Sequence, residues 1–256
     1  MRRRKRIMLF LACLMCVTAV VFSIATLKIH VRKGVATQIA EKYLFDAYEQ
    51  EMLFSSVRFS WSDPSLYRVT FSPINNPSMF FQVIVQQDLA ILESKEENGI
   101  RKSPDNYLSS LFSFHFETKL QYYIDSIWDG DVSVSVEVNT VGTYAFNTPA
   151  QINEHLTPEE MEPYFKYSLF INAKRLLDTN NRVEEAKSIM KMISAVRAES
   201  IEPEAIFIFY YSESKNKSLL SGNNKMSRSY INFVNWAGIS NLNEILEVVD
   251  EQWFKE

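Results

Sequence analysis

The sequence predicts an α+β protein in which one N-terminal transmembrane helix is followed by an extracytoplasmic domain of helix-plus-antiparallel-meander units. Three observations carry that prediction. An apolar run without a charge follows a basic cluster at the start of the chain. Beyond the run, apolar residues recur every three or four positions in some blocks and every second position in others, the periods of helix and strand. The blocks alternate along the chain, the element pattern of an α+β fold. An apolar fraction of 46% with only 6 Gly and 8 Pro among 256 residues provides for a core and excludes linker-dominated or collagen-like chains.

The anchor comes first. Arg2, Arg3, Arg4, Lys5 and Arg6 precede residues 7–27 (IMLFLACLMCVTAVVFSIATL). At 1.5 Å per helical residue this run reaches about 31 Å, the thickness of a bilayer's hydrocarbon core. Lys28, Arg32 and Lys33 flank the far side, so the positive-inside bias predicts a cytoplasmic N-terminus with everything after Leu27 outside. A cleaved signal peptide is the competing reading, because Ser23-Ile24-Ala25 resembles a small-x-small cleavage site. The run is longer than an ordinary signal-peptide core, and the basic residues after it look like a stop-transfer flank, so an uncleaved single-pass anchor is expected. Cys13 and Cys16 both lie inside this run, which leaves the exterior without a thiol and therefore without a disulfide.

The exterior part should begin with a helix over residues 35–52, where Val35, Ile39, Tyr43, Leu44 and Tyr48 form a stripe. The period then becomes two. Val57, Phe59 and Trp61 make one strand; after a turn at Ser62-Asp63-Pro64-Ser65, Tyr67, Val69 and Phe71 make a second. A turn over residues 73–77 leads to a third strand over 79–85 (MFFQVIV), whose continuous apolar run reads as central. Residues 93–102 (ESKEENGIRK) read as a solvated connector.

The plan then starts again. Ser103 is placed to cap a helix with Pro104 at its first position; Leu108, Phe112, Phe116, Leu120 and Ile124 carry its stripe to Trp128, and Asp129-Gly130-Asp131 ends it. Val132, Val134, Val136 and Val138 alternate with Ser133, Ser135 and Glu137, a half-buried strand. Residues 140–163 read as a long loop with one helical turn, 164–171 as a strand in preference to the start of a helix running on to Leu177, and 180–198 as a helix. A late hairpin follows over 205–211 and 228–233, around a loop containing Ser221-Gly222-Asn223-Asn224. Asn241 and Glu244 have capping-box spacing for a last helix ending near Phe254. The expected organisation is thus a tail and anchor over 1–33, a helix plus three-stranded meander over 34–92, and a second α+β unit over 93–256.

The pieces Glu41-Lys42-Tyr43-Leu44, 57–61 (VRFSW), 67–81 (YRVTFSPINNPSMFF) and 105–108 (DNYL) resemble those of the small membrane-anchored YfjL-like proteins of Bacillus-type Gram-positive bacteria. The likeness runs over roughly residues 35–140. It implies a single anchor and an extracytoplasmic domain of uncharacterised function, and it transfers no catalytic residues. The order of elements is also similar to cystatin-like and PepSY-like modules, which are binding or inhibitory domains; that likeness rests on element order alone.

The chemistry-bearing residues narrow the function classes. After Leu27 there are 22 basic against 31 acidic residues, a net charge of about −9. Nucleic-acid binding needs a basic stripe, and none occurs. No glycine-rich phosphate loop appears, so no nucleotide is expected. His30 lies in the basic flank and His115 on a helical apolar stripe. His155 beside Glu154, Glu159, Glu160 and Glu162 is the one cluster with metal-ligand residue types, and its spacing matches neither a metalloprotease helix nor a calcium loop. No GxSxG motif occurs. No catalytic, cofactor or metal residue is therefore assigned. The aromatic groups 80–81, 112–116 and 207–211 serve as core or line a ligand groove. The expected function is a non-enzymatic binding or sensory domain of the cell envelope, held in the cytoplasmic membrane by residues 7–27, with an envelope protein or peptide as partner. An envelope hydrolase or transferase using the acidic-loop carboxylates, or a small-ligand or lipid-binding domain, is the alternative.

Overall fold

The computed structural model describes residues 2–60, 66–128, 132–138, 145–177, 179–199, 201–212, 227–234 and 236–254. Within the first helix, the side chains of residues 2–14, 21–22 and 24–25 fall outside this set, as do Trp61, the turn at Ser62-Asp63-Pro64-Ser65, Asp129-Gly130-Asp131 and the loop Ser221-Gly222-Asn223-Asn224. The fold is α+β, in two compact units: Met1–Tyr107 with Val141–Asn147, and Leu108–Thr140 with Thr148–Glu256.

In the first unit, helix α1 runs unbroken over Arg2–Tyr48. Among the described residues no helix is long and apolar enough to cross a membrane. The helix stops earlier than the stripe to Met52 predicts, because Glu49 enters the left-handed region (φ 50°) while its N–H still bonds Phe45 O at 2.9 Å. The face that α1 lays on the sheet is Ala36, Ala40 and Leu44, all buried, whereas Val35 turns toward solvent. Two alanines one turn apart let the helix backbone approach the strands closely.

Strands β1 (Met52–Ser60), β2 (Leu66–Pro73) and β3 (Phe81–Gln86) form an antiparallel sheet in that order. β3 is apolar without being central. Its outer edge is covered instead: Ile84 N–H donates to Pro104 O (2.7 Å), Gln86 N–H to Ala90 O (2.9 Å), and Asn106 N–H to Gln82 O (3.2 Å). The charged connector is itself a hairpin, β4 (Lys95–Glu97) and β5 (Ile100–Ser103). Asn98 and Gly99 have φ of 53° and 74°, as the mirror-image turns of tight hairpins require. β7 (Phe146–Pro149) adds the third strand of that small sheet, and its Phe146 packs on Leu66 and Ile84.

Helix α2 (Tyr107–Ile127) starts later than the Ser103 cap predicts. Ser103 ends β5, and it is Asp105 that accepts the Tyr107 N–H at 2.9 Å. The second unit is built on β6 (Val132–Val138), β8 (Tyr167–Leu176), β9 (Ala205–Ser212) and β10 (Ser227–Phe233), in the order β10-β9-β8-β6. β6 keeps the bounds that its alternation predicts, with Val132, Val134 and Val136 buried. One pairing departs from the antiparallel expectation: β8 and β9 run parallel, because helix α4 (Arg182–Ala198) connects them as a crossover. The loop over 140–163 contains β7 and the turn-long α3 (Pro158–Met161), which begins with a capping box between Thr157 and Glu160. The last helix, α5 (Leu242–Val249), is capped by Asn241, whose side chain accepts the N–H groups of Asn243 and Glu244.

In the second sheet, the row Val134, Ile171, Ile208 and Ile231 is aligned across the four strands, and every member is buried. Side chains alternate along a strand. The neighbouring row Ser133, Asn172, Phe209 and Tyr230 therefore occupies the opposite face.

Candidate functional site

The acidic loop does not form a cluster. Glu160 closes the capping box through the Thr157 N–H (2.8 Å), which holds its carboxyl below the ordinary carboxylate range. Glu162 accepts from Tyr167 Oη (2.6 Å) and from the Glu202 N–H (3.0 Å). His155 is exposed, and its Nε2 lies 3.6 Å from Glu154 Oε1. Glu159 reaches a different histidine: its Oε1 lies 2.7 Å from Nε2 of His115, an ion-pair distance at which no aligned hydrogen bond forms. Among the described residues no three His, Cys, Asp or Glu side chains meet in a group that could hold a metal.

Two buried carboxylates that the sequence did not single out anchor polar networks instead. In the first unit Asp105 accepts from Tyr43 Oη, Tyr48 Oη (2.8 Å), Ser103 Oγ (3.0 Å) and the Tyr107 N–H (2.9 Å). Burial, and next the Asp105 charge, raise both tyrosine hydroxyls well above their ordinary value, so they stay protonated donors. In the second unit Glu185, buried on α4, takes Trp128 Nε1–H (3.0 Å) and Tyr210 Oη (3.1 Å) on one carboxylate oxygen. Both networks give buried carboxyl oxygens hydrogen-bond donors and pin helices to strands. They are interior fastenings rather than accessible chemistry.

The accessible feature of the second unit is the outer face of its sheet. Phe170 stacks on Phe207 (centroids 4.9 Å, interplanar angle 10°) and on Phe209 (6.0 Å, 20°), and Tyr230 closes against Phe209 (5.4 Å) and Phe207 (5.9 Å). These rings are half-exposed, with Tyr230 51% exposed. Ser135 and Asn232 stand in register with Phe170 and Phe207, and Asn232 Oδ1 is shielded from solvent without a hydrogen-bond partner. The aromatic groups of the sequence are thus divided between core and surface. Phe81, Phe112, Phe116 and Tyr210 are core; Phe80, Phe207 and Phe209 point away from it.

Both edges of this sheet are closed by side chains that imitate a neighbouring strand. Gln121 donates to Val132 O (2.9 Å) and accepts the Val134 N–H (3.0 Å), while Glu117 accepts the Val136 N–H (2.8 Å). Burial raises the Glu117 carboxyl above its ordinary value, against the lowering by that N–H. At the opposite edge Gln252 accepts the Asn232 N–H (2.7 Å) and donates to Asn232 O (2.9 Å). The face of the sheet is therefore more open than those stretches of its edges.

No family model matches the chain, and no curated protein matches it. A DUF5037 family protein of known crystal structure from Ruminococcus gnavus ATCC 29149 is similar at 12% identity and a TM-score of 0.38, over 84% of this chain and 98% of that one.

Proposed function

We propose that the protein is a single-pass, membrane-anchored binding module whose folded part lies outside the cytoplasmic membrane and performs no catalysis. The binding reading is carried by the outer face of the second sheet, where Phe170, Phe207, Phe209 and Tyr230 form one half-exposed aromatic surface. Large apolar side chains held together at the surface mark contact sites for other molecules. The anchor reading is carried by the charge-free run over 7–27 behind five basic residues. Met15, Val17, Val20 and Leu27 on that stretch of α1 are each more than half exposed, an arrangement that suits a lipid surrounding. Tethering confines the domain near its partner and raises the effective concentration of weak contacts.

Crosslinking in cells tests the reading. A photoreactive residue replacing Tyr230 in the full chain is expected to capture one envelope protein or peptide, with fragment 1–33 and a probe at exposed Lys187 as controls. Equal capture from Lys187, or none from Tyr230, overturns the assignment of that face. For the anchor, alkaline extraction should leave the chain in the membrane fraction, and protease added to intact protoplasts should digest everything after residue 33. Release into the soluble fraction overturns it. The hydrolase alternative predicts that Glu159→Gln with Glu160→Gln fails to complement a deletion strain; the binding reading predicts full complementation.

A further inference from the structure

We propose that the first unit carries an oxyanion site between Arg58 and Arg68, a site that takes a phosphate-type group. The inference rests on sheet geometry and goes beyond the proposed function. Arg58 of β1 and Arg68 of β2 are direct cross-strand partners. Val57, Val69 and Val83 form the adjacent row; the alternation of side chains therefore places both arginines on the other face of the sheet. Like charges directly opposite each other on a sheet repel and lower stability. A carboxylate in a neighbouring row would relieve the pair. None is supplied here: the rows on either side are Ser56, Thr70 and Gln82, and Ser60, Leu66 and Gln86.

The absence is local, because the exterior of the chain carries about nine more acidic than basic residues. Among the described residues neither arginine has an ionic or hydrogen-bond partner, and the same holds for the side chains of Ser56, Thr70 and Gln82. Arg58 is exposed and Arg68 half-buried. On the third strand of the same row Ile84 is fully buried under Phe146, which gives the patch an apolar wall on one side. Two guanidinium forks, two hydroxyls and an amide on one sheet face can donate to several oxygens of a tetrahedral anion at once. Arginine suits this role better than lysine because its planar fork matches phosphate oxygens in pairs. Two cations are far too few to hold a nucleic-acid backbone. The anion is either a soluble phosphate compound or the phosphate of an acidic lipid headgroup.

The test uses the full chain in nanodiscs at low salt and neutral pH. In phosphatidylcholine discs, inorganic phosphate is expected to broaden its own phosphorus NMR line in the presence of wild type. It should also raise the thermal midpoint saturably, by about 2–4 °C at a few-fold excess over the dissociation constant, whereas chloride at matched ionic strength does not. Arg58→Gln and Arg68→Gln should each abolish both responses, and Lys95→Gln on the exposed β4 strand should retain them. Without added anion, Arg58→Gln should have a midpoint at or above that of wild type, since it removes a repulsion. Discs containing roughly a third phosphatidylglycerol separate the two sources. A midpoint already raised there, with no further gain from phosphate, identifies the headgroup; an unchanged midpoint with the full phosphate response identifies a soluble phosphate. Identical responses to phosphate and chloride in neutral discs with no effect of phosphatidylglycerol overturn the site. So does either arginine variant behaving like wild type. Failure of the Tyr230 crosslink leaves these readings untouched, so the two proposals fall separately.

Discussion

Asp105 shows how one side chain can organise a unit. Its carboxylate is buried, no cation balances it among the described residues, and four donors from α1, the end of β5 and the start of α2 converge on its two oxygens. A hydrogen bond to a charged group is worth about 1.5–3 kcal/mol, and a buried donor left without its acceptor costs about 1–3 kcal/mol. Asp105→Ala strands two tyrosine hydroxyls and should destabilise the first unit by about 3 kcal/mol or more, read as a lower urea midpoint for that unit. Tyr43→Phe removes a donor and its need for a partner together, and should cost less, about 1 kcal/mol. The tyrosines also set an alkaline limit. Burial, then the Asp105 charge, raise Tyr43 and Tyr48, and burial, then the hydrogen bond to Glu162, raise Tyr167, above their ordinary value of 10.0. A raised folded value means that the folded state holds protons the unfolded state releases. Their contribution is complete below pH 10 and is lost as pH rises past it. Tyrosinate absorbance from Tyr43 and Tyr48, and likewise from Tyr167, should therefore appear only together with loss of circular dichroism, above pH 10. A smooth titration near pH 10 with the fold intact would contradict the buried networks.

At the scale of elements, turns and edges decide the behaviour of the sheets. Gly99 sits at φ 74° in the β4–β5 turn, and a methyl group added there would meet nothing within 4 Å, so the backbone angle alone makes glycine the fitting residue. Gly99→Ala should cost about 1 kcal/mol by strain, with no steric clash to relieve. The edge of β6 is held by Gln121 and Glu117, and the edge of β10 by Gln252. Gln121→Ala leaves the Val134 N–H and Val132 O unpaired at a sheet edge. It should cost about 1 kcal/mol and increase concentration-dependent association, measurable by light scattering of the detergent-solubilised chain. Much at this scale was legible in the sequence. The strict alternation over 132–138 located β6, and the Asn241 cap announced α5. The β4–β5 hairpin also carries a signal, Asn98-Gly99, but the surrounding charges make the segment read as solvated connector. A hairpin of three- and four-residue strands needs no apolar face of its own when another element covers it.

At the scale of the molecule, each unit has its own sheet and core, and the two cores differ in what holds them. The first is an aromatic chain, in which Phe71 lies 6.1 Å from Phe81 and Phe81 lies 5.0 Å from Tyr107. The second is an aliphatic row closed by Phe112, which contacts Phe116, Phe165 and Tyr167 at 4.7–5.1 Å. Phe112→Ala, at a fully buried position, should cost about 3–5 kcal/mol in the second unit, read by hydrogen exchange as faster opening of α2. What the sequence determined by itself is local: the helical stripes, the period-two strands and the Asn241 cap, because each depends on residues a few positions apart. The tertiary structure decided everything that requires distant residues to meet. Tyr43 and Asp105 are 62 positions apart and Trp128 and Glu185 are 57 apart, so neither carboxylate could be recognised as buried from its neighbours in the chain. The parallel pairing of β8 with β9, the covering of the β3 edge and the half-exposure of Phe170, Phe207 and Phe209 were likewise settled by which element came to rest on which face. Periodicity states that a strand has two faces, but only packing selects the one that loses its water.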